Sequence, residues 1–245
     1  MEAAEAELEK AVVAALLDVR TRIAAVPRPT GASGDPTLVA VSKTKPAPLL
    51  AAAYSAGQRD FGENYVQEVT EKAPVLPADI RWHFIGHLQS NKVKELVAVP
   101  NLHCIHTVDS VKLAMELQKR VAQLRPDRPL DIMVQINTSG EESKSGCEPA
   151  AATELCAAIE ASCPLLRLVG LMCIGKYSSA EGSALEDFEV LKRCRDQVAT
   201  ASSTEPAALA LSMGMSHDFE AALAAGATHV RVGSVIFGAR APKAQ

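Results

Sequence analysis

The chain has 245 residues, which suits one large domain or two small ones, and it is 48% hydrophobic but only 4% aromatic. A net charge of −4 and a pI near 5.9 exclude nucleic-acid binding through a broad basic face, yet leave room for a small anion that needs only a few donors. No run approaches the roughly 18 apolar residues of a membrane span, and six cysteines with no CxxC pair read as reduced, mostly buried thiols of a cytosolic protein.

Residues 2–26 open with the acidic MEAAEAELEK, which lacks an apolar signal core, and place Leu8, Val12, Leu16, Val19 and Ile23 at helical spacing. PRPTGASGDP (27–36) breaks that helix as a loop. Leu38–Val41 is a short apolar run of buried-strand type that ends in Ser42, Lys43, Thr44, Lys45 and Pro46. Next come a helix over 47–56, a strand at Arg59–Gly62, a helix at Glu63–Lys72, a strand at Ile80–Ile85 and a helix at Asn91–Val97. His103–Val108 is extended, Ser110–Leu124 helical, Asp131–Asn137 a strand and Pro149–Ser162 a helix. Arg167–Ile174 is a strand, Ser183–Thr200 a helix, Ala208–Met213 a strand, His217–Ala225 a helix and His229–Ser234 a strand, with Val235–Arg240 as a tail.

Eight short apolar strands alternating with helices imply a parallel sheet with helical crossovers. Eight units over about 200 residues match a single (β/α)8 TIM-type barrel with an additional N-terminal helix. A doubly wound open sheet is disfavoured because SKTKP, and no GxGxxG turn, follows the first strand. The expected organisation is residues 1–36 as helix and linker packing on a barrel of residues 37–245.

Barrels carry their chemistry at the carboxyl ends of the strands. Those ends hold Lys43, Glu63–Asn64, Gly86–His87, Asp109, Asn137–Thr138–Ser139, Gly175–Lys176, Met213–Gly214–Met215–Ser216 and Gly233–Ser234. Val39, Val41 and Lys43 share a strand face. Lys43 is therefore either a surface lysine past a strand end or a partly desolvated, imine-forming amine. The loops after strands seven and eight often bind phosphate through backbone N–H groups. Gly214, Ser216, Gly233 and Ser234 suit that role, although singly Ser216 reads as a helix N-cap and Gly233 as a packing glycine. In HVRVGS, Val230 and Val232 suit the helix-facing layer, which turns Arg231 inward, where it needs either a carboxylate such as Glu63 or a ligand acceptor. His103 and His106 stand an odd number of positions apart and should face opposite sides, so no metal site is expected. His83 can line the mouth. The acidic face Glu63–Glu71 and the positions Lys92 and Lys94 read as solvated surface.

LVAVSKTKP, FGENYVQE, WHFIGHLQSNK, INTSGEESKSG, GLMCIG, LSMGMSHDFEAALAAG and VRVGSVIFGAR occur in one order from Leu38 to Arg240. Together they resemble the pyridoxal phosphate homeostasis proteins, relatives of the amino-terminal barrel of alanine racemase. The resemblance implies a fold-type III barrel that binds pyridoxal 5′-phosphate, with the imine-forming lysine at Lys43. It puts the phosphate cradle at Ser216, Gly233 and Ser234 with Gly214, the arginine facing the pyridine nitrogen at Arg231, and Asn64 beside the ring.

The resemblance further implies a carrier that buffers the cofactor and delivers it to apo-enzymes. Racemases of this fold add a second, mostly β domain and take a catalytic tyrosine from a dimer partner. Here the resemblance ends near Arg240, so the expectation is a cytoplasmic monomer without that acid/base partner. The alternative is a low-activity amino-acid racemase using His83 or Tyr65 as the second acid/base group. A class I aldolase-like barrel is a third reading, without a bound chromophore.

Overall fold

The computed structural model describes residues 2–29, 34–141, 145–175 and 183–239. Residues 30–33 of the first loop, residues 142–144 of the INTSGEESKSG stretch, Lys176 and the tail from Arg240 onward lie outside them.

Eight parallel strands close into a barrel in chain order: β1 Thr37–Val41, β2 Asp60–Glu63, β3 Arg81–Phe84, β4 Leu102–Val108, β5 Leu130–Ile136, β6 Leu166–Cys173, β7 Ala210–Ser212 and β8 His229–Val232. β8 returns to β1 through Thr37–His229, Leu38–Val230, Val39–Arg231 and Ala40–Val232, which leaves no sheet edge. The helices are α1 Glu2–Ala25, α2 Ala47–Ser55, α3 Val66–Lys72, α4 Val93–Val97, α5 Val111–Leu124, α6 Ala152–Ser162, α7 Ser183–Ala201, α8 Phe219–Ala224 and α9 Ser234–Phe237.

Local chemistry explains the elements. Ser110 caps α5, its Oγ accepting from the Leu113 N–H at 3.3 Å, and Leu113, Leu117 and Val121 then recur on the buried face. All seven residues of β5 are buried, as a parallel strand with a packed interior on one side and helices on the other requires. α1 packs against α2, α8 and α9. Val12, Leu16, Val19 and Ile23 form its buried stripe, whereas Leu8 is 50% exposed because the whole of residues 4–8 runs past the packed region. Arg22 grips Glu220 through two hydrogen bonds of 2.8 and 3.0 Å and lies 4.7 Å from the centre of the Phe219 ring. Among the described residues no helix is long and apolar enough to cross a membrane.

Three sequence expectations shift. β2 continues through Glu63, and α3 starts only at Val66. The tail after β8 is the short helix α9, with Gly233 at its start. β4 does not alternate cleanly, because its register slips against β3 and again against β5.

Leu38, Ala40, Val230 and Val232 join the helix-facing core, while their sequence neighbours fill the barrel. Inside, Val39, Val41 and Ile85 crowd around Gly62 near the mouth, and Cys104, Met133 and Met172 pack together. Polar side chains share this interior, which is unusual for barrel packing. Their arrangement decides how the mouth is held.

Candidate functional site at the barrel mouth

A cavity of about 330 Å³ opens at the carboxyl ends of the strands. Its wall includes Val41, Lys43, Lys45, Asn64, Ile85, Met172, Met215, Ser216, His217, Arg231, Gly233 and Ser234. Six of the seven residues singled out from the sequence therefore meet around one space. Gly214 is the exception. It sits behind the wall at φ 90°, and a Cβ there would fall 2.5 Å from Ala222 Cβ, so glycine sets the turn without touching the cavity. Larger hollows lie outside α3 and α4, about 570 Å³, at the amino-terminal end of the barrel, about 540 Å³, and around Tyr65 and His87, about 600 Å³. Only the last holds any of those seven residues, Asn64, which it shares with the mouth cavity.

The loop carrying Lys43 is pinned on both sides. Ser42 N–H donates to the Gly62 carbonyl at 3.0 Å, extending the β1–β2 ladder one residue. Ser42 Oγ donates to Glu63 Oε1 at 2.6 Å. Thr44 adopts φ 63°, a conformation unusual for a residue with a side chain, and its N–H donates to both carboxylate oxygens of Glu68 at 2.8 and 3.1 Å. Lys72 closes the arrangement from below: its Nζ donates to the Ser42 carbonyl at 3.0 Å, Glu63 Oε1 at 2.7 Å and Glu68 Oε2 at 2.5 Å. Burial pushes the Glu63 carboxyl up to about 7 against the pull of Lys72 and Ser42, and its Oε2 is buried without a partner among the described residues. Glu63, at the start of the face Glu63–Glu71 expected to be solvated, is thus buried, and so is Lys72 just beyond that face. The i, i+4 spacing of Glu68 and Lys72 was the available sequence signal. It could not reveal that β2 would deliver Glu63 to the same place.

On the opposite wall, Ser216 Oγ accepts from the Gly233 N–H at 3.1 Å, tying the β7 loop to the β8 loop. Ser216 is not the N-cap expected of it, because α8 begins only at Phe219 and Asp218 Oδ1 takes the Met215 N–H at 2.6 Å. A Cβ on Gly233 would lie 3.1 Å from the Val41 carbonyl, so the loop approaches β1 closely. α9 then starts at Ser234, with the Ile236 and Phe237 N–H groups donating to the Gly233 carbonyl at 3.0 and 2.9 Å.

Arg231 is 4% exposed. It does not reach Glu63. Nη1 donates to Ser212 Oγ and Nη2 to the Cys173 carbonyl, each at 2.7 Å, and it makes no ion pair among the described residues. Burial lowers its pKa, but a guanidinium keeps its proton in proteins. Asn64 Oδ1, also at the cavity, is buried and has no hydrogen-bond partner among the described residues.

His83 does not line the mouth. It is 1% exposed inside the barrel, and His103 and His106 both bring their rings to 5.1 Å from it. The irregular β4 turns both of those residues toward His83, against the alternation expected from their spacing. His83, Cys104 and His106 offer ligand atoms within 4.8 Å of one another. Both ring nitrogens of His83 and of His106 are engaged in hydrogen bonds, however. Tyr65 is 54% exposed and faces a neighbouring hollow outside the cavity. The six cysteines are all free thiols, and burial pushes Cys147, Cys156 and Cys173 up to about 12, which makes them inert.

Residues 20–241 match the family described as alanine racemase, N-terminal domain. The pyridoxal phosphate homeostasis protein of Bos taurus is 50% identical over 211 residues, covering 84% of this chain and 77% of its own. That of Escherichia coli K12 is 46% identical over 231 residues, covering 92% and 95%. The structure of PipY from Synechococcus elongatus with PLP bound superposes with a TM-score of 0.72 at 34% identity, covering 93% of this chain and 100% of PipY. Alanine racemase from Corynebacterium glutamicum has a TM-score of 0.72 at 13% identity, covering 95% of this chain and 62% of the racemase, a likeness of fold alone.

Proposed function

The chain belongs to the pyridoxal phosphate homeostasis proteins, and on that premise we propose that its mouth cavity holds pyridoxal 5′-phosphate for buffering and delivery. One observation carries the reading: β1, β2, β7 and β8, far apart in sequence, bring Lys43, Asn64, Ser216, Arg231, Gly233 and Ser234 around a single cavity. Its volume falls in the range of about 300–1,000 Å³ typical of small-molecule pockets. The lining suits the group: an amine, a buried guanidinium and an amide oxygen that among the described residues have no carboxylate and no hydrogen-bond partner respectively, and two loops with N–H and hydroxyl groups.

Pyridoxal phosphate would supply an electrophilic aldehyde there, and Lys43 is the amine that would hold it. Ser42 and Thr44, pinned by Glu63 and Glu68, fix the loop from which the Lys43 side chain extends. Ser216, Gly233 and Ser234 take the phosphate, with Gly214 setting the turn behind them, and Asn64 stands beside the ring. Arg231, which keeps its own proton, would face the pyridine nitrogen as a donor and so favour its unprotonated form. A ring held this way is a weak electron sink, which favours storage over carbanion chemistry. The protein acts as a cytoplasmic monomer, and apo-enzymes that use pyridoxal phosphate are the recipients.

The test is the visible spectrum of the purified protein with pyridoxal phosphate. A band that borohydride bleaches and Lys43→Ala abolishes supports the reading; a band retained in Lys43→Ala overturns it. The racemase alternative needs a second acid/base group, and neither His83 nor Tyr65 lines the cavity, whereas the exposed His217 does. Incubation with L-alanine in heavy water separates the two: α-deuteration at enzymatic rates favours the racemase.

A further inference from the structure

We infer that His83 and His106 are positioning residues for the mouth site: through Ser212 they form a directed hydrogen-bond chain across the barrel core that orients Arg231. The inference rests on the reading of the cavity as the cofactor site. It concerns residues on β3, β4 and β7 that do not touch the cavity.

The chain is continuous. At the amino-terminal end of the barrel, Arg81 Nε donates to Asp60 Oδ1 at 2.7 Å, and His83 Nε2 lies 2.9 Å from the same oxygen. His83 Nδ1 is 2.9 Å from His106 Nε2, and His106 Nδ1 is 3.0 Å from Ser212 Oγ. Ser212 Oγ accepts from Arg231 Nη1 at 2.7 Å. Every side chain between the two arginines is buried.

The placement of the protons follows from the two ends. Asp60 accepts, because hydrogen bonds from Arg81 and His83 outweigh the effect of burial and hold it ionised. His83 therefore carries its proton on Nε2, and its Nδ1 must accept from His106 Nε2–H. His106 Nδ1 is then an acceptor for the Ser212 hydroxyl proton, and the Ser212 oxygen receives Arg231. Each donor meets one acceptor, and both imidazoles are neutral. Reversing the chain would require an imidazolium at His83. It would also strand the Ser212 hydroxyl proton, for which the described residues offer no other acceptor. The surroundings oppose added positive charge: burial pushes His106 well down and His229 down to about 3, and His103 is lowered as well.

The same contacts argue against reading His83, Cys104 and His106 as a metal site. Coordination through the facing His83 Nδ1 and His106 Nε2 would break the bond between the two rings, and coordination through an outer nitrogen would release Asp60 or Ser212. Burial also keeps the Cys104 thiol protonated.

The consequence for Arg231 is geometric. A guanidinium held at one edge by Ser212 Oγ and the Cys173 carbonyl cannot swing, so its remaining donors keep a fixed direction at the cavity wall. A lone serine hydroxyl rotates; one committed to His106 Nδ1 does not.

Two measurements test this. Nitrogen-15 spectra of the histidine rings, recorded on the cofactor-free protein, should show both His83 and His106 protonated at Nε2 only. An Nδ1–H tautomer or an imidazolium at either residue overturns the chain. Ser212→Ala removes the link with the smallest change of volume. It should shift the absorption of bound pyridoxal phosphate and weaken its binding roughly tenfold, as loss of one hydrogen bond to a charged group does, with Ser212→Thr restoring both. A purely structural serine would alter melting and leave the spectrum in place, so an unchanged spectrum and affinity in Ser212→Ala overturn the inference. That result would leave the cofactor reading to stand on the Lys43→Ala experiment. Absence of any pyridoxal phosphate band in the wild type would remove both.

Discussion

Lys72 Nζ and Glu63 Oε1 lie 2.7 Å apart beneath the loop that carries Lys43, and both residues are buried. Such a pair adds little net stability when whole, because two desolvation penalties oppose its attraction. Breaking it by removing one partner is costly. Lys72→Met should lower stability by about 3 kcal/mol at pH 8, measured as a fall in the urea midpoint. The double variant Glu63→Gln/Lys72→Met should recover most of the loss. If the two single effects simply add, the pair is not coupled.

Glu63 also makes a pH prediction. Its carboxyl is raised by burial from an ordinary 4.5 to about 7 in the folded protein. The folded state then holds the proton more tightly than the unfolded one. The stabilisation is complete below about 4.5 and is lost as pH rises through 7, with a slope of at most about 1.4 kcal/mol per pH unit. Wild type should therefore lose stability relative to Glu63→Gln between pH 5 and 7. Urea midpoints that run parallel over that range would refute the shift.

Gly214 and Gly140 make a controlled comparison. Both have positive φ, 90° and 66°, but a Cβ on Gly214 would meet Ala222 Cβ at 2.5 Å, while one on Gly140 meets nothing within 4 Å among the described residues. Gly140→Ala should cost about 1 kcal/mol from backbone conformation alone. Gly214→Ala adds overpacking and should cost about 3 kcal/mol in all. It should also weaken phosphate-dependent cofactor binding, read by comparing pyridoxal phosphate with pyridoxal.

The Arg22–Glu220 pair joins α1 to α8 with side chains 37% and 44% exposed. Solvent screening limits such a pair to about 0.5–1 kcal/mol. A double-mutant cycle with Arg22→Ala and Glu220→Ala should give a coupling of that size that shrinks in 1 M salt. A larger, salt-insensitive coupling would refute the reading as a solvent-screened pair.

The mouth residues were legible because their signals are local. Lys43 ends an apolar run, Gly233 and Ser234 follow another, and Arg231 alternates with two valines. Alternation fails at β4, where spacing alone puts His103 and His106 on opposite faces. Register slips against both neighbouring strands turn both toward His83, and such slips depend on how three strands fit together. Ser216 shows a milder version: a serine ahead of a helix resembles a cap, yet its hydroxyl serves the Gly233 N–H of a different loop.

The order of strands and helices, the closed barrel and the residues at its mouth could be read from the chain alone, because hydrophobic periodicity and strand ends are properties of neighbouring residues. Tertiary structure alone decided which polar groups meet inside. Glu63 reaches Lys72 rather than Arg231, and Arg231 reaches Ser212 and, through it, His106, His83 and Asp60 in turn. Those partners come from strands and a helix brought together only when the barrel closes. A buried polar group is strongly selective about its partner, since an unpaired one costs several kcal/mol, but nothing in linear spacing says which partner closure will supply.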